Sequence, residues 1–255
     1  MRQSLILLPA VLCCSLFASS QTADELISKN IQAKGGMDAI KAIKTVRMAG
    51  RLDAAGGFTG RVGQENMRPN LLRETFSLQG MTAVQAYDGS TAWQIQPFGG
   101  HKDPQLMGDD DVRDLLIDSD FDGPLVDYKA KGNAVEYLGH DTLDGDDVLR
   151  LKVTLKNGDI VYYYLDPDTF LEIRRERQEF VRGSVRENVT DLGSYKSVGG
   201  VMFPFSVAGG PKNDPSSWQN VTYKTIEVNV SLANSDFALP ASLKEAPKKQ
   251  ETAKN

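Results

Sequence analysis

Between Arg68 and Pro97 the chain reads RPNLLRETFSLQGMTAVQAYDGSTAWQIQP, and this stretch leaves few folds open. Leu72, Phe76 and Leu78 share one parity in a first strand-like run, and Gln79-Gly80 turns the chain. Met81 to Tyr87 forms a second run. Asp88-Gly89 then predicts a two-residue hairpin, because both residue types tolerate positive φ. The third run sets Trp93 and Ile95 on one face and Gln94 and Gln96 on the other. Alternation with period two describes a sheet with one apolar and one wet face. The candidates for an apolar, ligand-holding face are therefore Phe76, Leu78, Met81, Trp93 and Ile95. For Trp93 two readings stand side by side: a side chain that meets ligand, and plain core packing.

The same stretch carries a family resemblance. Arg68, Pro69, Asn70 and Leu71 are followed, about twenty residues on, by Asp88, Gly89, Thr91, Trp93 and Pro97. In order and spacing this is similar to the LolA-type family of periplasmic lipoprotein carriers, apart from one extra residue between the two motifs. The close match covers about thirty residues, and the rest agrees by strand pattern. A late segment, Tyr195 to Pro204, is similar to a strand–turn–strand of that family. The resemblance implies a mainly β fold: an incomplete antiparallel β-barrel, or curved sheet, with helices covering a concave apolar face. It implies binding of acyl chains of lipoproteins or other lipids, with a membrane transporter as donor and an outer-membrane receptor as acceptor. It also implies a role for Arg68, whose counterpart in the family bonds to the covering helices and holds the lid shut until cargo arrives. Arg68 would then bond to carbonyls of the first helix or of a helix over 109–117. A surface arginine paired with a nearby acid, worth under about 1 kcal/mol, is the competing account.

Ahead of this stretch, Met1 to Ser20 reads as a secretory signal peptide. Arg2 is its only charge, Leu5 to Phe17 is apolar and too short to span a bilayer, and Ala18-Ser19-Ser20 supplies small residues for a cut after Ser20. Both cysteines, Cys13 and Cys14, lie inside it, and neither follows a small residue as lipidation would want. The expected product is an exported, periplasmic chain without disulfides. Residues 21–243 read as one domain and 244–255 as a charged, disordered tail. The net charge of −5 argues against nucleic acid as a partner.

Helices frame the sheet. Thr22 to Glu25 reads as a capping box opening a helix to about Lys34, which Gly35-Gly36 stops; Asp38 to Ile43 adds a second short one. The sheet begins at Thr45. Phe98 to His101 reads as a loop. Asp109-Asp110-Asp111 then precedes Val112, Leu115 and Leu116 at helical spacing, with acids where the helix dipole favours them. This helix is either a lid over the concave face or a plug at one end of a sandwich. From Ala134 onward, runs separated by Asp144-Gly145, Asn157-Gly158, Arg182-Gly183 and Gly199-Gly200 predict an antiparallel meander. Around Leu171 to Glu176 the alternation predicts a heavily charged outward face.

Catalytic constellations are scarce. His101 and His140 stand alone, and there is neither a G-x-S-x-G elbow nor a phosphate loop. Asp118, Asp120 and Asp122 start like a calcium loop, but Lys129 stands where that loop needs a bidentate glutamate, so no metal site is expected. Asn188, Asn220 and Asn229 head glycosylation sequons, which carry no meaning in the bacterial host that the resemblance implies. What remains is a binding protein without cofactor or enzymatic activity. It is either a carrier that shields acyl chains in the periplasm or a sensor module of the envelope that binds a lipid or protein and reports to a partner.

Overall fold

The computed structural model describes residues 22–181 and 183–244; the expected leader with its cut after Ser20 and the expected tail beyond Lys244 lie outside them. Thr22 caps α1 (Ala23–Ala33) in a reciprocal box: Glu25 N donates to Thr22 Oγ1 at 3.2 Å, and Thr22 N to Glu25 Oε2 at 2.8 Å. Gly35 ends the helix at φ +120°, and a side chain there would strike the carbonyl oxygen of Gly200. Next come α2 (Met37–Ala42), β1 (Thr45–Asp53) and β2 (Thr59–Met67). The organising stretch supplies β3 (Leu71–Leu78), β4 (Met81–Tyr87) and β5 (Ala92–Gln96).

The two turns of that stretch exchange the roles expected of them. Leu78 pairs with Met81, so Gln79-Gly80, at φ 51° and 80°, is the tight two-residue turn. The Asp88-Gly89 loop runs four residues, from Tyr87 to its partner Ala92. Its geometry comes from the Asp88 carboxylate, which accepts from the backbone N–H of Ser90 at 3.0 Å and of Thr91 at 2.8 Å.

A strand absent from the sequence reading follows. β6 (His101–Leu106) pairs with β5 and forms one edge of the sheet, the position where its internal Pro104 is tolerated. After α3 (Asp109–Ser119) the chain crosses to the opposite edge and returns through β7 (Ala134–Leu143), β8 (Asp146–Thr154), β9 (Ile160–Leu165), β10 (Glu172–Val181) and β11 (Ser184–Gly193). A small hairpin, β12 (Lys196–Val198) with β13 (Val201–Phe203), stands apart. β14 (Ser206–Pro211) and β15 (Gln219–Val228) bring the chain back, and α4 (Ala241–Lys244) ends it.

The result is a 13-stranded antiparallel sheet, β6-β5-β4-β3-β2-β1-β15-β14-β11-β10-β9-β8-β7. From β7 to β15 the strands run as the expected antiparallel meander, with only the β12–β13 hairpin set aside, and the pairing of β1 with β15 joins it to the first meander, so that strands distant in sequence meet at the centre. The two edges do not pair, and the curved sheet stays an open barrel.

Three helices line its inner side. α1 buries Leu26 and Ile27 on Leu149, Leu151, Val161 and Tyr163 of β8 and β9. α2 sets Ile40, with Ile43 just beyond it, against Val46 and Ile226 of the central pair. α3 places Leu115 on Leu72 and Ala92 in the other arm. Opposed apolar faces of this kind supply most of the stability of such short helices.

Candidate functional site

Cross-strand register decides which side chains meet inside the curve. Leu72, Glu74, Phe76 and Leu78 of β3 pair with Tyr87, Gln85, Ala83 and Met81 of β4, and with Asn66, Gln64 and Val62 of β2. These residues share the concave face in three successive bands across the strands. The band of Leu72, Tyr87 and Ala92 lies under α3. The next is polar: Gln64, Glu74, Gln85 and Gln94. The last is apolar, and among the described residues no helix covers the sheet there.

A cavity of about 660 Å³ opens over the apolar band. Leu52, Val62, Phe76, Leu78, Ala83 and Val221 form its apolar lining. Phe76 is seated because Gly60 opposite has no side chain; a Cβ there would overlap the ring. Phe98 packs at a tilt against Phe76 with centroids 5.6 Å apart, and both Phe98 and Phe58 belong to the lining while 41% and 60% exposed. Exposed aromatics continuous with an apolar cavity mark a ligand groove more often than a packing defect.

Of the sequence candidates, Phe76 and Leu78 line this groove. Met81 shares their face beyond the lining and is 37% exposed. Trp93 and Ile95 lie on the opposite side of the sheet. They pair with Ala86 and Val84 and are covered by Leu239 and Leu243 of the C-terminal segment. Alternation separates two faces but cannot say which is concave when a remote segment covers the outer one. Trp93 donates Nε1–H to the carbonyl of Phe237 at 3.0 Å and is buried there. Trp93→Phe is therefore expected to leave lipid affinity unchanged while costing about 1 kcal/mol of stability, read from paired lipid titrations and urea melts.

α3 spans the groove's inner end and holds both arms. Its apolar side rests on β3 and β5, as above. Its acidic side meets arginines of β10 and β11: Asp114 accepts from Arg177 Nη1 at 2.9 Å and Arg186 Nη2 at 3.0 Å, and Asp118 lies 3.4 Å from Arg177 Nη2. Arg113 reaches the carbonyl of Phe180 at 3.2 Å. The charges of β10, expected to face outward, point inward in part, because a bulge between Glu172 and Arg174 resets the alternation. Glu172 is buried, yet Lys34 and Arg175 outweigh its desolvation and hold it below the usual carboxylate range. Burial pushes Glu179 up, although Arg186 pairs with it.

Arg68 sits at the joint between the helices. It donates from Nε to the Ile43 carbonyl at 2.7 Å and from Nη2 to that of Ile40 at 2.9 Å, and it holds both carboxylate oxygens of Asp122. Its guanidinium lies 4.4 Å from the centre of the Phe121 ring. The carbonyls thus belong to α2 and its cap, not to α1, and the partner beyond α3 is a carboxylate. The three acids of the calcium-like run take separate cations: Asp118 Arg177, Asp120 Lys131 and Asp122 Arg68 with Lys41. Among the described residues no cluster of acids, histidines or cysteines could hold a metal.

Compared by sequence, the chain matches no family model and no curated protein. Compared by structure, it is similar to a DUF1329 family protein from Desulfovibrio piger, with TM-score 0.60 and 12% identity over 84% of this chain and 96% of the other. It is similar to a LolA superfamily protein from Nitrosomonas europaea, with TM-score 0.58 and 13% identity over 86% and 98%. A putative outer membrane lipoprotein-sorting protein domain from Vibrio parahaemolyticus follows, with TM-score 0.54 and 12% identity over 84% and 94%. At such identities the likeness is one of fold, and the fold of this chain is LolA-like.

Proposed function

We propose that this chain is a non-enzymatic carrier of the bacterial periplasm that shields the acyl chain of a lipoprotein or another lipid in its concave groove. The observation that carries this reading is the uncovered apolar band: Leu52, Val62, Phe76, Leu78 and Val221 line a cavity of about 660 Å³ that ends at exposed Phe58 and Phe98. That volume lies within the roughly 300–1,000 Å³ of small-molecule sites. Each buried CH₂ contributes about 0.8 kcal/mol, so one long acyl chain carries on the order of 12 kcal/mol. A ligand of this kind does not travel exposed to water, and a curved sheet with one open apolar band answers that need. Export through the leader, a donor in the inner membrane and a receptor in the outer membrane belong to the same proposal.

The test is direct. Protein purified from a periplasmic fraction is extracted with organic solvent, and the extract is analysed by mass spectrometry. Lipid in stoichiometric amount is expected from wild type, and at least about tenfold less from Phe76→Asp, which places a charge in the apolar band. Lipid-free wild type that also fails to take up an acyl probe would sink the carrier reading.

A further inference from the structure

Among the described residues lining the groove, Glu74 is the only charged one. It stands in the middle of the polar band, between its cross-strand neighbours Gln64 and Gln85, one step from Phe76 on the same face. Among the described residues it has no hydrogen-bond or ion-pair partner. Gln64 turns its amide away and donates to Asn66 at 2.9 Å. Gln96, at the groove's flank, donates to Gln94 at 3.2 Å.

The cations of the interior are engaged elsewhere. Arg177 serves Asp114 and Asp118, Arg186 serves Asp114 and Glu179, and Arg175 serves Glu172. The charges acting on Glu74 are both negative, Asp118 and Asp114 on α3, and the Tyr223 hydroxyl of β15 is the remaining titratable group that senses it. A half-buried carboxylate without a partner, bordering an apolar band and near two further acids, is favoured by a proton or a cation. Ligand is the available source of a cation here.

We propose that the groove selects an amphiphile with a cationic, ammonium-bearing polar end, seated against Glu74, with its hydrocarbon chain along Phe76, Leu78, Val62 and Leu52. This rests on the carrier reading and narrows it. A free fatty acid would bring a fourth carboxylate to Glu74, Asp114 and Asp118, and a neutral headgroup would leave Glu74 holding its proton and gain no ion pair. An ammonium supplies the missing partner and draws on the field of the two α3 acids as well. Burial and those acids also favour a protonated Glu74 in the empty groove, so an arriving ammonium displaces that proton to solvent.

Three probes of equal chain length separate the outcomes: hexadecylammonium, hexadecanol and palmitate. Each is titrated calorimetrically into delipidated full-length mature protein, below its micellar concentration, in two buffers of different ionisation enthalpy. Wild type is expected to bind the ammonium at least about tenfold tighter than the alcohol, and palmitate most weakly. Proton release should accompany the ammonium alone. Glu74→Gln, close to isosteric, should erase both the preference and the proton release while still binding the alcohol; Glu74→Lys should favour palmitate. Equal affinity of wild type for all three, or a preference that survives Glu74→Gln, overturns the assignment and leaves the carrier reading standing. Binding of none of them overturns both.

Discussion

Arg68→Leu is expected to lower the unfolding free energy by about 3–5 kcal/mol, the cost of leaving a buried charge without its partner. The Asp122 side chain is only 6% exposed. Burial opposes its ionisation, yet Arg68 and Lys41 together hold it below the usual carboxylate range. With leucine at 68, Asp122 keeps Lys41, a half-exposed side chain shared with Asp127. The Ile43 carbonyl loses its side-chain donor at the same moment, and that of Ile40 is left with the Ile43 N–H at 3.3 Å. Those carbonyls close α2, and Asp122 follows α3, so one side chain ties two coverings of the concave face together. Arg68→Lys should fall between, since an ammonium keeps the charge and loses the fork. Lys41→Ala should cost under about 1 kcal/mol, as exposed pairs do. Urea melts give the energies, and hydrogen exchange gives the place: α2 and residues 120–127 should exchange faster in Arg68→Leu, with lipid retention changed in parallel. A loss below about 1 kcal/mol with unchanged exchange in both segments would return Arg68 to the class of ordinary surface pairs.

Local signals were enough for most of the elements. The capping box at Thr22, the acids that open α3 and the alternation of β1 to β5 each have a cause within a few residues, and the helices and strands stand where those causes put them. The elements hidden from the sequence depend on distant partners. β6 carries a proline and little apolar pattern, and it is a strand only because it lies at an edge against β5. The inward turn of Glu172 depends on a bulge that no residue type in the segment announces.

The candidate site divides along the same line. Phe76 and Leu78 were legible because they alternate within one strand, and that strand faces the curve. Trp93 and Ile95 alternate equally well, but residues 239–243, nearly 150 positions away, cover their side. Glu74 has the parity of Leu72, Phe76 and Leu78, but a glutamate in a strand is not a residue type that marks an apolar face. The register with Gln64 and Gln85 shows that this face lies inside the curve, in a polar band next to the apolar one. The absence of a nearby lysine or arginine on its own face is the signal that could have found it, once the faces were known.

Glu74 also makes the protein's stability depend on pH with a sign opposite to that of most carboxylates. Desolvation first, then the charges of Asp118 and Asp114, raise it from 4.5 to about 8 in the folded protein. Below about pH 4.5 the carboxyl is protonated in both folded and unfolded chains, so it adds no dependence there. Between about 4.5 and 8 the folded chain keeps a proton that the unfolded chain has released, so stability falls as pH rises. Above about 8 both are ionised and the loss is complete. Asp122 and Glu172, held low by their cations, slope the other way, so the quantity to measure is a difference between variant and wild type. Glu74→Gln is expected to match wild type near pH 4 and to exceed it near pH 9 by on the order of 2 kcal/mol, allowing for solvent that reaches the carboxylate through the groove. Urea melts at several pH values, with delipidated protein, give the curve. A constant difference across that range would mean that Glu74 ionises in the folded protein as readily as in the unfolded chain, and that the groove is wetter at its inner end than its lining allows. Saturating hexadecylammonium supplies a second arm. If it pairs with Glu74, wild type should gain more stability from it than Glu74→Gln at every pH above about 5, because only the carboxylate holds the cation.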